Sequence, residues 1–155
     1  MLQTFKRSSK VKGLHELALC LMDKLDNQEL DVIIPMPYHW RKLLMRGHNP
    51  SAILARQISA ALLTPILHPL KRSKATQSQQ SLNKEQRKQN VRKAFTLNPN
   101  VQASIKGKRI LLVDDVLTTG ATANEAAKVL KRFGAKSVIV ACIARTPISH
   151  WNKPR

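Results

Sequence analysis

The chain has 155 residues, with 27 Lys and Arg against 9 Asp and Glu, which gives a formal charge of +18 with the histidines neutral. This length supports one folded domain and excludes two full hydrophobic cores. The hydrophobic share of 43% excludes a wholly disordered basic chain. The longest uninterrupted apolar run, residues 138–144, is strand-sized, whereas a membrane-spanning helix needs about 20 apolar residues.

Two cysteines, Cys20 and Cys142, stand near opposite ends of the chain. They are too few for a disulfide framework or a cysteine zinc site, and we expect both in the core. The basic start at residues 1–12 is followed by an apolar stretch that Glu16 interrupts, which is too short for a signal peptide. These features predict a cytoplasmic protein.

The basic charge is concentrated in the middle of the chain. Between Val32 and Val113 a single acid, Glu85, stands against fifteen basic residues. Such a surface suits an anionic partner, and nucleic acid, phosphorylated metabolites and anionic membrane all qualify. A solvated basic face with no specific ligand is the remaining alternative.

In the first half of the chain, apolar residues at spacings of three and four predict an amphipathic helix over residues 14–27. A short buried strand follows at 32–34 and ends at the first of two prolines. Asn49 as N-cap and Pro50 at the first helical position predict a helix over 51–63. Residues 65–68 form a weaker candidate strand.

Residues 71–89 are nearly devoid of apolar side chains, so we expect a flexible loop over about 71–90. The remainder predicts a βαβ unit, because continuous apolar strands alternate with an amphipathic helix. In order, the pattern predicts a strand at 94–97, turns at 98–107, a strand at 109–113, a loop at 114–120, a helix at 121–133 that ends before Gly134, and a strand at 137–144. We therefore expect one α/β domain, a mainly parallel sheet with helices on both faces and a ligand at the carboxyl ends of the strands.

The segment 110–122 carries the most specific functional signal. Asp114 and Asp115 directly follow a buried strand, and the small and hydroxyl residues 118–122 then open a helix. Backbone N–H groups and the helix dipole at such a point favour a phosphate dianion. Carboxylates close by suit the vicinal hydroxyls of a sugar and a bound Mg²⁺. The simpler alternative is a helix cap followed by a tight turn. It would need neither two adjacent acids nor a run of five small and hydroxyl residues.

This segment resembles the signature of the type I phosphoribosyltransferases. The resemblance implies that the acid pair binds the ribose of phosphoribosyl pyrophosphate (PRPP), with Mg²⁺ held through PRPP, and that the loop binds the 5′-phosphate. It identifies Asp114 and Asp115 as the catalytic residues. It assigns PRPP contacts to Asp114, Asp115, Val116, Leu117, Thr118, Thr119, Gly120, Ala121 and Thr122.

Two further stretches resemble the ComF-type proteins, a competence-associated family of phosphoribosyltransferase-like proteins. One runs from Pro35 to Asn49 and the other covers residues 73–95, with His48 and Pro50 departing from the usual pattern. The resemblance makes Arg41 and Arg46 candidates for pyrophosphate binding. It implies a mobile loop with candidate ligands at Lys74, Thr76, Gln77 and Gln80.

Many ComF-type proteins begin with a zinc ribbon that this sequence does not contain, so no zinc is expected. A fragment, a divergent short member or a late start codon would each explain the difference. The resemblance implies binding of PRPP or a nucleotide, with or without transfer of the phosphoribosyl group. One alternative is a non-catalytic factor of DNA uptake, which would bind single-stranded DNA or a helicase of the competence machinery. The other is a regulator that senses PRPP. The resemblance identifies neither the base that would accept the phosphoribosyl group nor the oligomeric state.

Overall fold

The structure, a computed structural model, describes Leu25 and residues 28–38, 47–72 and 94–145. The helix predicted at 14–27 lies outside this part of the chain except for Leu25, which is helical and buried. The elements are β1 (Val32–Pro35), α1 (Pro50–Leu62), β2 (Leu70–Arg72), β3 (Phe95–Leu97), a single 3-10 turn (Pro99–Val101), β4 (Arg109–Leu117), α2 (Ala121–Arg132) and β5 (Ser137–Arg145).

The main sheet has three parallel strands in the order β1-β4-β5, so β4 is central. Ile110 of β4 is in register with Val32 on one side and with Val138 on the other. On the free side of β1, Ile66 makes a parallel bridge to Ile33. The weak strand predicted at 65–68 is therefore reduced to one bridge, between two prolines that donate no backbone hydrogen bond.

Helices cover both faces of the sheet, as the sequence predicts. Alternate residues of β4 point to opposite faces, which lets one strand contribute to two cores. On one face Leu111 and Val113 join the buried residues Leu54, Ala55 and Ile58 of α1. On the other face Ile110 and Leu112 join Ala123, Ala126, Val129 and Leu130 of α2.

A small antiparallel hairpin of β2 and β3 lies beside the α2 face. Leu70 pairs with Leu97 and Arg72 with Phe95, and Leu70, Phe95 and Leu97 are buried in the core on that side. The prediction of a flexible loop from residue 71 was wrong at its start, because residues 71 and 72 belong to β2. The strand that pairs with β2, β3, begins more than twenty residues later in the sequence, so no local pattern predicts this pairing. Residues 73–93 are outside the described part of the chain.

The predicted end of the central strand was also wrong. The structure extends β4 from residue 113 to Leu117, because pairing with β5 continues past the acids, with Asp114 opposite Cys142 and Val116 opposite Ala144. The helices agree with their predictions to within one residue. Gly134 follows the end of α2 with a φ of 95°, the left-handed conformation that favours glycine after a helix.

An ion pair anchors the start of β4. Arg109 donates from its backbone N and from Nε to Asp31 Oδ2 at 2.8 and 2.9 Å, and from Nη2 to Asp31 Oδ1 at 3.1 Å. Arg109 also pairs with Glu29, whose side chain is 82% exposed. Asp31 N donates in return to Arg109 O at 2.9 Å. Neither helix in the described residues has the length and apolar character needed to cross a membrane.

This anchor gives a direct test of the fold. We expect Asp31→Asn to lower the free energy of unfolding by about 1–3 kcal/mol, because it removes the charge from a two-oxygen contact and weakens three hydrogen bonds. The matched control Glu29→Gln should change it by less than about 1 kcal/mol, since that carboxylate is exposed. Urea unfolding measures both, and equal effects of the two variants would contradict the assignment of the anchor to Asp31.

Candidate functional site

The candidate site lies where the carboxyl ends of β1 and β4 meet the start of α1. Met36 N donates to Val113 O at 2.8 Å, which extends the pairing of β1 with β4 by one residue. Asn49 caps α1 by accepting a hydrogen bond from Ser51 N at 3.1 Å, and its Nδ2 donates to Met36 O at 3.0 Å. One asparagine therefore both starts α1 and holds that start against the end of β1.

Asp114 is a buried carboxyl group, with 7% of its surface exposed. Its Oδ1 accepts hydrogen bonds from Asp115 N at 2.9 Å and from the fully buried Ser51 Oγ at 3.4 Å. Burial, and then the negative charge of Asp115, raise the pKa of Asp114 to about 7, although the bonds from Asp115 N and Ser51 act in the other direction. In the ligand-free protein this group therefore exchanges a proton near neutral pH.

Asp115 is less buried and has different partners. Tyr38 OH donates to its Oδ2 at 2.6 Å, and Val116 N donates to its Oδ1 at 2.9 Å. A carboxylate can accept about four hydrogen bonds, so this group keeps acceptor capacity for a ligand. The two adjacent acids thus differ in solvation and in hydrogen bonding.

The loop after β4 leads into α2 through Gly120, an N-cap residue that has no side chain. Gly120 is the N-cap residue of α2, with a φ of 74°, and makes no side-chain cap hydrogen bond. Thr119 Oγ1 instead accepts a hydrogen bond from Ala121 N at 3.3 Å. The simpler alternative of a helix cap and a tight turn therefore holds in part, because Gly120 makes the turn and Thr119 bonds the first N–H of α2. The positive end of the α2 dipole lies beside half-buried threonines, an arrangement that suits an anion.

The predicted site residues divide into two groups. The structure places Asp114 and Asp115 in β4 and residues 118–122 directly after it, with Val116 and Leu117 between them. Val116 is 47% exposed, whereas Leu117 packs partly against the core on the α2 side. The remaining predicted residues lie outside the described part of the chain: Arg41, Arg46, Lys74, Thr76, Gln77 and Gln80.

Arg72 is a further cation near the acid pair, and it lies outside the sequence motifs. The Arg72 guanidinium lies 5.6 Å from the centre of the Phe95 ring. Burial lowers the pKa of Arg72, while the electrostatic interactions with Asp114 and then with Tyr38 oppose that change. The hairpin of β2 and β3 therefore places a cation close enough to Asp114 for their charges to interact. The only sequence signal was the position of Arg72 at the edge of the basic segment.

Three further residues of the site were also missed as functional candidates. Tyr38 and Ser51 each supply a hydroxyl to one of the two acids. Cys142 was expected in the core, and that expectation was wrong: it is half-buried and lies opposite Asp114 in the sheet. Burial, and then the charge of Asp114, raise the pKa of the Cys142 thiol. Cys20 lies outside the described residues.

The buried acid predicts a pH-dependent stability. Because the pKa of Asp114 is higher in the folded chain than in the unfolded one, its contribution to stability is complete below its ordinary pKa and is lost as the pH rises through about 7. Asp114→Asn should therefore stabilise the ligand-free protein at pH 8, by up to about 4 kcal/mol. The gain should shrink towards pH 5. Urea unfolding across this range measures it, and a variant less stable than wild type at pH 8 would contradict the assignment.

Comparison with known proteins agrees with this architecture. Residues 13–153 match the family described as "Phosphoribosyl transferase domain". "Competence protein F" of Haemophilus influenzae is 39% identical over 117 residues, which cover 74% of this chain and 50% of that protein. "DNA utilization protein YhgH" of Escherichia coli K12 is 38% identical over 117 residues, which cover 75% of this chain and 50% of that protein. The chain thus spans about half the length of these curated relatives.

Among solved structures, a purine phosphoribosyltransferase from Pyrococcus horikoshii is similar, with a TM-score of 0.58. The match covers 92% of this chain and 76% of that one, at 23% identity. At this level of identity the likeness shows the fold, a parallel α/β sheet with helices on both faces.

Proposed function

The chain belongs to the phosphoribosyl transferase domain family, in its ComF/YhgH group, and on this basis we propose that it binds PRPP or a nucleotide together with Mg²⁺. One observation carries the proposal: the acid pair Asp114–Asp115 lies near the end of the central strand, and α2 then begins at Gly120, an N-cap residue with no side-chain cap hydrogen bond. Vicinal hydroxyls of a ribose can donate to the pair. A phosphate fits the threonine loop and the positive end of the α2 dipole.

Electrostatics supports this division of the site. A phosphate directly on the acid pair would be repelled by two carboxylates, whereas a sugar hydroxyl would be attracted. The loop residues 118–122 carry no acid and end at a positive helix terminus. A ligand with hydroxyls next to a phosphate therefore matches the site better than a polyphosphate chain alone.

The proposed Mg²⁺ would be bound mainly through the ligand. In the described part of the chain, no group of three or more His, Cys, Asp or Glu side chains comes together as a metal site. Mg²⁺ commonly binds through one or two carboxylates, water and substrate phosphates, and the acid pair supplies carboxylates of this kind. When bound, Mg²⁺ would neutralise charge on the pyrophosphate group. Asp114 and Asp115 would orient the sugar beside it.

If the protein also catalyses transfer, a nucleophile forms a bond to C1 of the ribose while the bond from C1 to the pyrophosphate oxygen breaks. The pyrophosphate leaves with the electron pair, and the developing positive charge on the sugar is stabilised by the acid pair. Within this proposal Arg41 and Arg46 stay candidates for the pyrophosphate. Lys74, Thr76, Gln77 and Gln80 stay candidates for a mobile loop over the site. A regulator that senses PRPP would share the binding site and lack turnover.

Calorimetric titration with Mg²⁺ and PRPP tests this function. We expect wild type to bind, and Asp114→Asn/Asp115→Asn to weaken binding at least about tenfold, because charged acceptors for the ribose hydroxyls are lost. Glu29→Gln is the matched control, an acid-to-amide change at the opposite end of β4, and should bind like wild type. Release of pyrophosphate on addition of candidate bases would separate an enzyme from a sensor. Absence of binding by wild type would overturn the proposal.

A specific observation favours a second candidate, a non-catalytic DNA-uptake factor. At the amino ends of β4 and β5, backbone contacts bring two basic segments together, with Gly107 N donating to Gly134 O at 2.8 Å and Lys136 N to Lys108 O at 2.9 Å. Lys131 Nζ reaches Lys136 O at 2.8 Å. The resulting exposed amino-edge cluster comprises Lys106, Lys108, Lys131, Arg132 and Lys136. It could bind the phosphates of single-stranded DNA, about 20 Å from the acid pair by the rise of the strand.

A salt series distinguishes this second function. We expect affinity for single-stranded DNA to fall steeply with salt, and Lys106→Gln/Lys136→Gln to reduce the slope by about 1.4, the effect of two lost phosphate contacts. PRPP binding should be unchanged in this variant. Lys128→Gln is a suitable control, because Lys128 lies 3.9 Å from Glu125 and its charge is already partly balanced. Fluorescence anisotropy measures the slope, and equal slopes in wild type and the double variant would argue against this cluster.

A further inference from the structure

The hydrogen bond from Tyr38 to Asp115 is a feature of the site that the motif alone does not contain. The phenol oxygen lies 2.6 Å from Asp115 Oδ2, within the range of hydrogen bonds from a hydroxyl to an ionised carboxylate. The residues lie 77 positions apart in the chain, so the contact exists only in the folded protein. Tyr38 is the single tyrosine of the sequence, which makes it easy to observe separately.

The backbone before Tyr38 is held from two sides. Met36 N donates to Val113 O in β4, and Met36 O accepts from Asn49 Nδ2 at the start of α1. Only Pro37 lies between this anchor and Tyr38, and its ring fixes its own φ. The phenol therefore reaches Asp115 from a segment whose position is set by the sheet and by α1.

Two donors from different elements fix the Asp115 carboxylate. Val116 N, in the same strand, donates to Oδ1, whereas Tyr38 donates to Oδ2. With Val116 alone the carboxylate plane could rotate about its last side-chain bond, and the neighbouring Asp114 would favour rotation that separates the two groups. With both donors present, the remaining lone pairs of each oxygen have defined directions.

We propose that Tyr38 is a positioning residue of the acid pair: its hydroxyl holds the Asp115 carboxylate in the orientation in which that group accepts hydrogen bonds from the ribose. The inference rests on the proposed function and adds a residue to it. Tyr38 acts through Asp115 and does not itself contact the sugar. Ser51, which donates to Asp114 from α1, is the corresponding hydroxyl on the other acid.

Titration of Mg²⁺ and PRPP into Tyr38→Phe tests the proposal, since this change keeps the ring and removes the hydroxyl. We expect about tenfold weaker binding, the order expected for one hydrogen bond to a charged group. In an Asp115→Asn background the same change should cost less than about twofold, because the residue through which Tyr38 acts is already altered. In a Ser51→Ala background the tenfold cost should remain. A cost that is the same with and without Asp115 would overturn the positioning role.

The single tyrosine provides a second measurement that does not require the Tyr38→Phe variant. Wild-type protein labelled with [13Cζ]tyrosine should give one NMR signal, which moves in Asp115→Asn and stays in place in Glu29→Gln. Addition of Mg²⁺ and PRPP should also move it in wild type. A signal unaffected by Asp115→Asn would show that the hydrogen bond is absent in solution.

The outcomes also separate the two proposals. If wild type does not bind Mg²⁺ and PRPP, the proposed function and this inference both fail. If wild type binds and Tyr38→Phe binds equally well, the proposed function stands and the inference alone is wrong.

Discussion

The pairing of β4 with a parallel strand on each side is the constraint on which the rest of the structure depends. Because β4 is central, its alternate residues form two separate cores, one with α1 and one with α2. The pairing with β5 continues beyond the apolar residues and holds Asp114 and Asp115 within regular strand geometry. Both acids therefore have fixed backbone positions, which a free loop would not provide.

That placement has an electrostatic cost. Asp114 loses most of its contact with water and has a second carboxylate as its sequence neighbour, and these two effects account for the rise in its pKa. Ser51 and the backbone of Asp115 recover part of this cost through hydrogen bonds, and Arg72 contributes a cation nearby. The proposed ribose hydroxyls or Mg²⁺ would offset the remaining cost, because each would interact favourably with the two carboxylates.

The two ends of β4 carry different functional groups. Asp114 and Asp115 lie towards the carboxyl end of β4 with the threonine loop, whereas the amino-edge cluster lies at the other end, where Glu29 and Asp31 pair with Arg109. The basic residues of the amino-edge cluster therefore lie apart from the proposed PRPP site. PRPP would use only the carboxyl-end site, whereas a polyanion could occupy the other end without competition.

The sequence by itself determined the α/β class, both described helices to within one residue and the acid pair with its threonine loop, because each of these is encoded by neighbouring residues. Hydrophobic periodicity and a contiguous motif need no knowledge of distant contacts. Tertiary structure decided the extension of β4, the origin of β2, and the arrival of Tyr38, Ser51, Arg72 and Cys142 beside the acids. Those features come from strand register and from contacts across many tens of residues. Local patterns contain no information about such contacts, since the side chains that meet are separated by the whole path of the fold.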